Sequence, residues 1–345
     1  MVKTLHSLLL DIGIEVAGLQ NPLIKGICCD SRLINKGDLF FGLSGENVDG
    51  GNFWAEALSC GAAAVVIRSS ASFSIPDVHK GVIVLVPDPV AYWMGEVASA
   101  FWEMPSLKMN LIGVTGTNGK TTTTHLIEYF SKASGTPASL FGTLFNRWPN
   151  HSEVAIQTTR FSHILHSQLS EAVDSGARLA AMEVSSHALD QNRVAGLRFS
   201  GAVFTNLTQD HLDYHASMNA YFEAKMRLFE QPLLQTGHAR AVVNIDDEWG
   251  LRLAIRLKDI CWRSSLDDER IKSHQPELFI TDIQNGLHEV TGVLHTPLGK
   301  GAFRSSLIGK FNLMNLLQAI GVLVQRGFQL DKLLNVIEEF PGVPG

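Results

Sequence analysis

The stretch that most restricts what this chain can fold into runs from Leu111 to Thr124, LIGVTGTNGKTTTT. The apolar run from Leu111 to Val114 reads as a buried strand. It breaks at Thr115 into Gly116, Thr117, Asn118, Gly119 and Lys120, and a threonine-rich helix start follows. Glycines here let successive backbone N–H groups turn inward as an anion nest, and the helix adds its positive dipole end at the same point. Lys120 is placed to reach outer phosphates, and the Thr121 hydroxyl to ligate Mg²⁺. The strict pattern asks for glycine where Val114 stands, and Gly113 and Gly116 flank that position instead. The loop is therefore a variant, and a plain glycine turn between strand and helix is its alternative reading.

From Met109 onward, strand, loop and helix alternate. Strands are predicted at Leu111 to Val114, Leu179 to Val184, Ala202 to Asn206 and Ala241 to Asn244. Such alternation implies a mostly parallel sheet with helices on both faces, and ligands sit beyond the carboxyl ends of its strands. Three strands deliver polar groups there. The first brings the phosphate loop. The second ends at Glu183 and runs into Ser185, Ser186 and His187, and the third is followed by Thr208, Asp210, His211, Asp213 and His215. A carboxylate and an imidazole beside a triphosphate suit a second metal position. Taken singly, Glu183 also reads as a solvated strand end and His211 as the cap of the next helix. Gln157, Thr158 and Thr159 precede a predicted helix, where they either bind an anion or cap the helix. Lys225 lies on a helix predicted over Ala220 to Glu230, and on pattern alone it would be solvated. LFITDIQNGLHEVTGVLHTPLGKGAFRSSL (Leu278 to Leu307) alternates as an antiparallel hairpin or small sheet, with turns at Asn285-Gly286 and Pro297 to Gly299. A strong helix is predicted from about Leu313, with Asn312 and Asn315 at its start as adenine-reading amides or as capping and first-turn polar residues.

The first hundred residues read as a small α/β unit with strands at Leu39 to Leu43, Ala63 to Ile67 and Val82 to Val86, and helices at about Trp54 to Cys60 and Asp88 to Trp102. Asp30, Ser31 and Arg32 form either a phosphate or sugar grip or a capped turn. The net charge of −6 gives no basic footprint for nucleic acid. No apolar run is long enough to cross a bilayer, and Asp11 and Glu15 interrupt any signal-peptide core, so a cytoplasmic location is expected. Cys28, Cys29, Cys60 and Cys261 are too few and too irregular for a disulfide framework or a zinc site.

Taken together, DSRLINKGDLFFGLSG followed by VDG, GVTGTNGKTTTT, the Thr158-Thr159 pair, EVSSHALDQNRV, FTNLTQDHLDYHASMNAYFEAKMRLF and GKFNLMNLLQA resemble the Mur ligases, ATP-dependent amide-bond-forming enzymes of the peptidoglycan stem peptide. The motifs stand in family order over nearly the whole chain, and EVSSHALDQNRV with DHLDYH points to the member adding the third residue. The resemblance implies a UDP-substrate-binding domain over 1–104, an ATP-binding domain over 105–340, and a linker start at 341–345. It implies that Gly116, Thr117, Asn118, Gly119, Lys120, Thr121 and Thr122 bind ATP, with Asn312 and Asn315 at adenine. Thr121 and Glu183 would hold one Mg²⁺ and His211 a second. Lys225 would carry a CO₂-derived carbamate near that second metal, which reverses the solvated reading. Lys120, Lys225, Glu183 and His211 form the implied catalytic set. Cys29, Ser31, Glu46, Asn47 and Val48 match uridine-nucleotide positions, while Gln157, Thr158, Thr159, Ser185, Gln191 and Arg193 match those holding the muramoyl dipeptide.

The implied substrate is UDP-N-acetylmuramoyl-L-alanyl-D-glutamate, extended with meso-diaminopimelate, or with L-lysine as the alternative. Gln157 stands where the family usually has asparagine, and Arg160 where many members have proline. At Gly345 the family normally continues into a third domain that binds the incoming amino acid. The expectation is a monomer without that domain, inactive alone, and a non-catalytic nucleotide-binding protein is the alternative from another class.

Overall fold

A computed structural model describes residues 1–45, 48–70 and 75–344. Its backbone falls into two compact units. The first comprises Met1–Pro105 together with Arg160–Glu171 and Gln191–Leu197, and the second comprises Ser106–Thr159, Ala172–Asp190 and Arg198–Gly345.

In the first unit β1 (Lys3–Thr4) and β2 (Leu23–Ile24) form a small antiparallel pair beside α1 (Leu5–Asp11). The main sheet is parallel, in the order β3 (Gly26–Cys28), β4 (Asp38–Phe41), β5 (Ala64–Arg68) and β6 (Ile83–Val86). Connections run through α2 (Trp54–Ser59) and α3 (Asp77–Lys80), and α4 (Val90–Phe101) follows β6. Strands such as AVVIR are apolar on both faces because both faces are covered, and Leu39, Phe41, Val66 and Val84 share one cluster with Leu5, Leu8 and Val97.

The second unit is built on one eleven-stranded sheet, with β7 (Asn110–Thr115) near its middle. The other strands are β8 (Ala138–Phe141), β9 (Phe145–Trp148), β10 (His151–Val154), β11 (Leu179–Glu183), β12 (Gly201–Phe204), β13 (Ala241–Asn244), β14 (Cys261–Ser265), β15 (Leu278–Asn285), β16 (Val290–Thr296) and β17 (Gly299–Ser305). Their order is β10-β9-β8-β11-β7-β12-β13-β14-β15-β16-β17, parallel from β8 through β15 and antiparallel at both ends. The helices are α5 (Lys120–Ala133), α6 (Ser162–Asp174), which crosses from one unit's segments to the other's, α7 (Ser186–Asp190), α8 (Met218–Met226), α9 (Glu248–Leu257), α10 (Asp268–His274), α11 (Lys310–Gln325) and α12 (Leu330–Leu334). The chain leaves β7 toward β8 on one side and reaches β12 on the other, so the reversal of strand order opens a crevice at the carboxyl end of β7.

Helix α11 is buried from Leu313 to Val324 without a polar face, which marks a core helix. Two polar side chains lie in that run, Asn315 and Gln318, and the Gln318 amide nitrogen donates to Phe204 O at 2.8 Å and Ser264 Oγ at 3.2 Å. Those bonds lock the helix over the ends of β12 and β14. Its start differs from the expectation near Leu313. Gly309, at φ 95, turns the chain so that the helix begins at Lys310. Asn312 therefore sits inside the first turn and donates to Ile308 O at 3.0 Å. The helix predicted to Glu230 ends earlier, at Met226, and Arg227–Phe229 tighten into a 3₁₀ turn.

Candidate active site

The crevice is floored by the loop between β7 and α5. Gly116 takes φ 149 and Gly119 takes φ 88, in the region that disfavours any residue with a Cβ. A Cβ on Gly116 would strike Thr205 Oγ1, and one on Gly119 would strike Asn315 Oδ1, so both glycines also permit a close approach. No side chain caps the start of α5, which leaves its first N–H groups for an anion. The loop is pinned to the segment after β12. Asn118 N donates to Asn206 Oδ1 at 3.0 Å, Asn206 Nδ2 returns a bond to Asn118 O at 3.1 Å, and Thr205 Oγ1 donates to Asn118 O at 2.6 Å.

Two lysines converge on this loop. Lys120 Nζ donates to Gly116 O at 2.9 Å and Thr117 O at 2.8 Å, while Lys225 Nζ reaches the same Gly116 O at 2.9 Å. Burial lowers the Lys120 ammonium below its usual range, against the pull of the Glu183 and Asp210 carboxylates. Lys225 is 1% exposed. Burial and then the Lys120 charge push it well below the ordinary lysine range, and Asp210 opposes them. The solvated position expected from its helix pattern is thereby overturned. Helix α8 has an open side at Asn219 and Glu223, but Lys225 falls on the opposite, buried side with Tyr221, Phe222 and Ala224.

Glu183 is 1% exposed at the end of β11, which removes the reading of a solvated strand end. Its Oε2 accepts from Thr121 Oγ1 at 3.1 Å and Thr143 Oγ1 at 3.0 Å, and its Oε1 accepts from Thr143 N at 2.9 Å. All three donors are neutral, and among the described residues no basic side chain forms an ion pair with it. A buried carboxylate touching a loop hydroxyl, with phosphate room beside it, fits Mg²⁺, which is held by one or two carboxylates plus substrate phosphates. The described residues contain no group of three or more His, Cys, Asp or Glu that could hold a metal ion by themselves.

His211 takes φ 52, is 45% exposed at its side chain and lies 3.5 Å from Asp210 Oδ2. It does not cap the next helix, because Ser217 does. Its ring approaches His187 at 5.0 Å and Tyr221 at 6.0 Å. His215 is buried with Nε2 3.0 Å from Ser186 Oγ, and burial lowers its pKa, the neighbouring His187 acting in the same direction.

A cavity of about 590 Å³ opens beside the loop, lined among others by Asn118, Gly119, Thr122, Asn312 and Asn315. Asn315 is buried with its amide against Gly119. Sequence reasoning missed Lys310, Phe311 and Asp246 on the same wall. Phe311 is 83% exposed, and Lys310 stands 3.6 Å from Asp246 Oδ2. It also missed Thr143, whose signal was its place just past β8 at the edge that already carried Glu183.

The Thr159 hydroxyl donates to Glu183 O at 2.9 Å and accepts from Ser185 N at 3.2 Å, while Thr158 Oγ1 lies 3.1 Å from Thr143 Oγ1. The Ser185 hydroxyl accepts from Ala188 N at 3.2 Å, and Gln157 sits in the bend before α6. In the first unit Arg193 donates to Gln191 Oε1 at 2.9 and 2.7 Å and lies over the Phe161 ring at 4.7 Å. Asp30 caps the turn at Ser31 and pairs with Arg32 at 2.7 Å, which is the capped-turn reading of that segment. Cys29 is half-buried, and burial pushes its thiol up to about 12. Val48 is exposed, and Glu46 and Asn47 lie outside the described residues.

Strand, glycine loop, helix and a buried carboxylate at a topological switch define a nucleotide-binding α/β protein of the phosphate-loop class. Residues 114–323 match the Mur ligase middle domain, and residues 23–102 match the Mur ligase family catalytic domain. The chain is 58% identical over 343 residues to UDP-N-acetylmuramoyl-L-alanyl-D-glutamate–2,6-diaminopimelate ligase of Prochlorococcus marinus, covering 99% of this chain and 68% of that one. It is 57% identical over 346 residues to the enzyme of that name from Synechococcus sp. (strain WH7803), covering 100% and 68%. A solved structure of a ligase of that name superposes with a TM-score of 0.82 at 29% identity, covering 99% of this chain and 68% of the other. The chain belongs to the Mur ligase family, ATP-dependent amide-bond-forming enzymes of peptidoglycan synthesis. No helix among the described residues is long and apolar enough to cross a membrane.

Proposed function

We propose that this chain acts in the ATP-dependent addition of meso-diaminopimelate to UDP-N-acetylmuramoyl-L-alanyl-D-glutamate. The observation that carries this is the buried Glu183 carboxylate on the Thr121 hydroxyl, beside a phosphate loop whose Gly116 carbonyl collects both Lys120 and Lys225. The names of the relatives support the substrate and favour diaminopimelate over lysine. In this reading residues 1–104 hold the uridine nucleotide through Cys29, Ser31 and Val48, with Glu46 and Asn47 outside the described residues, and residues 105–340 hold ATP. In the second unit Gln157, Thr158, Thr159 and Ser185 are the positions that match the muramoyl-dipeptide grip, and in the first unit Gln191 and Arg193 are. Thr159 contributes mainly by shaping the loop, since its hydroxyl is committed to Glu183 O and Ser185 N.

The D-glutamyl carboxylate attacks the γ-phosphorus of ATP, forming an acyl phosphate as the bond to the β-phosphate oxygen breaks and ADP leaves. The amine of the incoming amino acid then attacks the acyl carbon. Phosphate departs, the nitrogen gives up a proton, and an amide remains. Lys120, released from its loop carbonyls, follows the charge on the transferring phosphoryl group, and the N-terminal amides of α5 hold the phosphates in line. Thr121 and Glu183 would hold Mg²⁺ and His211 a second ion, and the metal would supply charge neutralisation on the phosphate oxygens. Buried without a carboxylate partner, the Lys225 amine attacks CO₂, forming an N–C bond and losing one proton. The resulting carbamate carries a negative charge toward that second position. Most of the catalysis is positioning, which is why the site needs no activated hydroxyl or thiol nucleophile.

Calorimetry with MgATP and with the UDP-muramoyl-dipeptide tests the reading. Micromolar binding of each is expected, and binding of neither would refute it. ADP release on adding diaminopimelate but not lysine is expected from an active protein and checks the amino acid.

A further inference from the structure

Tyr221 lies one helical turn before Lys225 on α8, so the two side chains share a face. It is 1% exposed, and the Lys225 ammonium sits over its ring at 4.5 Å from the centroid. Its hydroxyl is 3.3 Å from Thr117 Oγ1 in the phosphate loop. That oxygen also lies 3.2 Å from Thr208 O and accepts from Thr208 N at 3.0 Å. With the single threonine proton given to Thr208 O, the tyrosine hydroxyl is the donor. The ring cannot swing aside, because His215 stacks on it at 5.0 Å and 29° and is itself tied to Ser186 Oγ at 3.0 Å. One side chain thus touches the lysine, the phosphate loop and the segment after β12.

We infer that Tyr221 is a positioning residue that sets Thr117 of the phosphate loop and the Lys225 side chain relative to each other. The inference rests on the reading of the loop as the ATP site and of Lys225 as the carbamate site. The hydroxyl fixes the loop conformation that receives phosphates. The ring's electron-rich face holds a cation and repels an anion, so a carbamate on Lys225 has to occupy the side of its seat away from the ring.

Two variants separate these tasks. Tyr221→Phe keeps the ring and removes the tie to Thr117. Its Kd for MgATP, measured by calorimetry on the full chain, rises about 3- to 10-fold, the worth of one neutral hydrogen bond, while the Kd for adenosine stays at the wild-type value. The loss is not repeated when Tyr221→Phe is added to Thr117→Val, because both remove the same contact. Tyr221→Leu also removes the ring. In ¹³CO₂-equilibrated protein the sharp carbamate resonance of the wild type persists in Tyr221→Phe and broadens or disappears in Tyr221→Leu. Unchanged MgATP affinity in Tyr221→Phe, an equal loss for adenosine, or costs that add with Thr117→Val would overturn the tie. A wild-type carbamate signal retained in Tyr221→Leu would overturn the role toward Lys225. Thermal melts of both variants identify unfolding, and the hydroxyl deletion remains decisive if the leucine variant fails to fold. A wild-type chain that takes up neither MgATP nor CO₂ brings down the underlying reading, and this inference with it.

Discussion

Replacing Gly116 with alanine tests whether the phosphate loop is shaped by a single close approach. The new methyl would overlap Thr205 Oγ1 and lie 3.0 Å from both N and O of Asn206, on a backbone at φ 149. Holding a non-glycine residue in such a sparsely populated region costs about 2 kcal/mol. Thr205 is buried and bonds Asn118 O at 2.6 Å, with Thr115 O at 3.3 Å as its weaker neighbour. Displacing it costs only about 1 kcal/mol, the low end for a lost hydrogen bond. The reason is that Asn206 Nδ2 still donates to Asn118 O and Thr205 N still donates to Thr115 O. Gly116→Ala is therefore expected to destabilise by about 3 kcal/mol, read from the urea midpoint at unchanged slope. Thr205→Ala alone should cost about 1 kcal/mol. Combined, the two should cost no more than Gly116→Ala alone, a coupling of about 1 kcal/mol, because the hydroxyl is already displaced in the single variant. Simple addition of the two costs, or a loss below about 1 kcal/mol in Gly116→Ala, would show that the glycine is not there to admit Thr205.

Glu183→Gln should leave stability within about 1 kcal/mol, since Thr143 N can still donate to the amide oxygen, while MgATP affinity falls about 10- to 100-fold with the loss of a charged ligand. Calorimetry with and without Mg²⁺ checks it, and retained Mg²⁺ dependence would make Glu183 a structural carboxylate. Phe311→Ala should not change the melting temperature of so exposed a residue, yet should weaken nucleotide binding about 5-fold through lost aromatic contact; equal affinity would place the ring outside the site. Burial pushes His163 down to about 4. The unfolded chain therefore takes up a proton near pH 6.5 that the folded chain refuses, so the stability from keeping it neutral is complete above pH 6.5 and drains away as pH falls toward 4. His163→Leu should remove that acid limb, worth at most about 3 kcal/mol, and parallel urea titrations of variant and wild type between those pH values would contradict it.

The parallel core is legible because its strands are buried on both faces and read as unbroken apolar runs, LIGV, LAAM and AVV among them. The hairpins after β15 were legible from alternation and from the turns at Asn285-Gly286 and Pro297 to Gly299. Other features depend on contacts that no local pattern carries. Lys225 looked solvated because helix periodicity does not record what lies opposite. Lys310, Phe311 and Asn312 face a cavity rather than the core, so the apolar signal of α11 begins only at Leu313, after the helix has started. The β9–β10 pair was missed because each strand has four residues and the reversal between them depends on Asn150 at φ 66. In the site, the loop is legible from its own Gly-Lys-Thr ending and Glu183 from the strand-end rule, while Thr143 and Tyr221 are not, since their roles arise only where separate segments meet.

The first unit is not finished when its sheet is. Residues 160–171 and 191–197 also belong to it. His166 Nε2 lies 3.1 Å from Ala195 O, and Gly95 of α4 meets the Ala195 backbone so closely that a Cβ there would collide with it. A ribosome must therefore travel about 90 residues beyond Pro105, roughly 5 to 20 s at ordinary elongation rates, before α4 receives its last cover. During that interval a nascent chain bears an uncovered helix face while the second unit's central strands are still emerging. Cutting at residue 105 would freeze that state permanently. The sequence boundary between the units is consequently a poor place to divide the gene, and an expression fragment meant to isolate the first unit has to carry its two distant segments along.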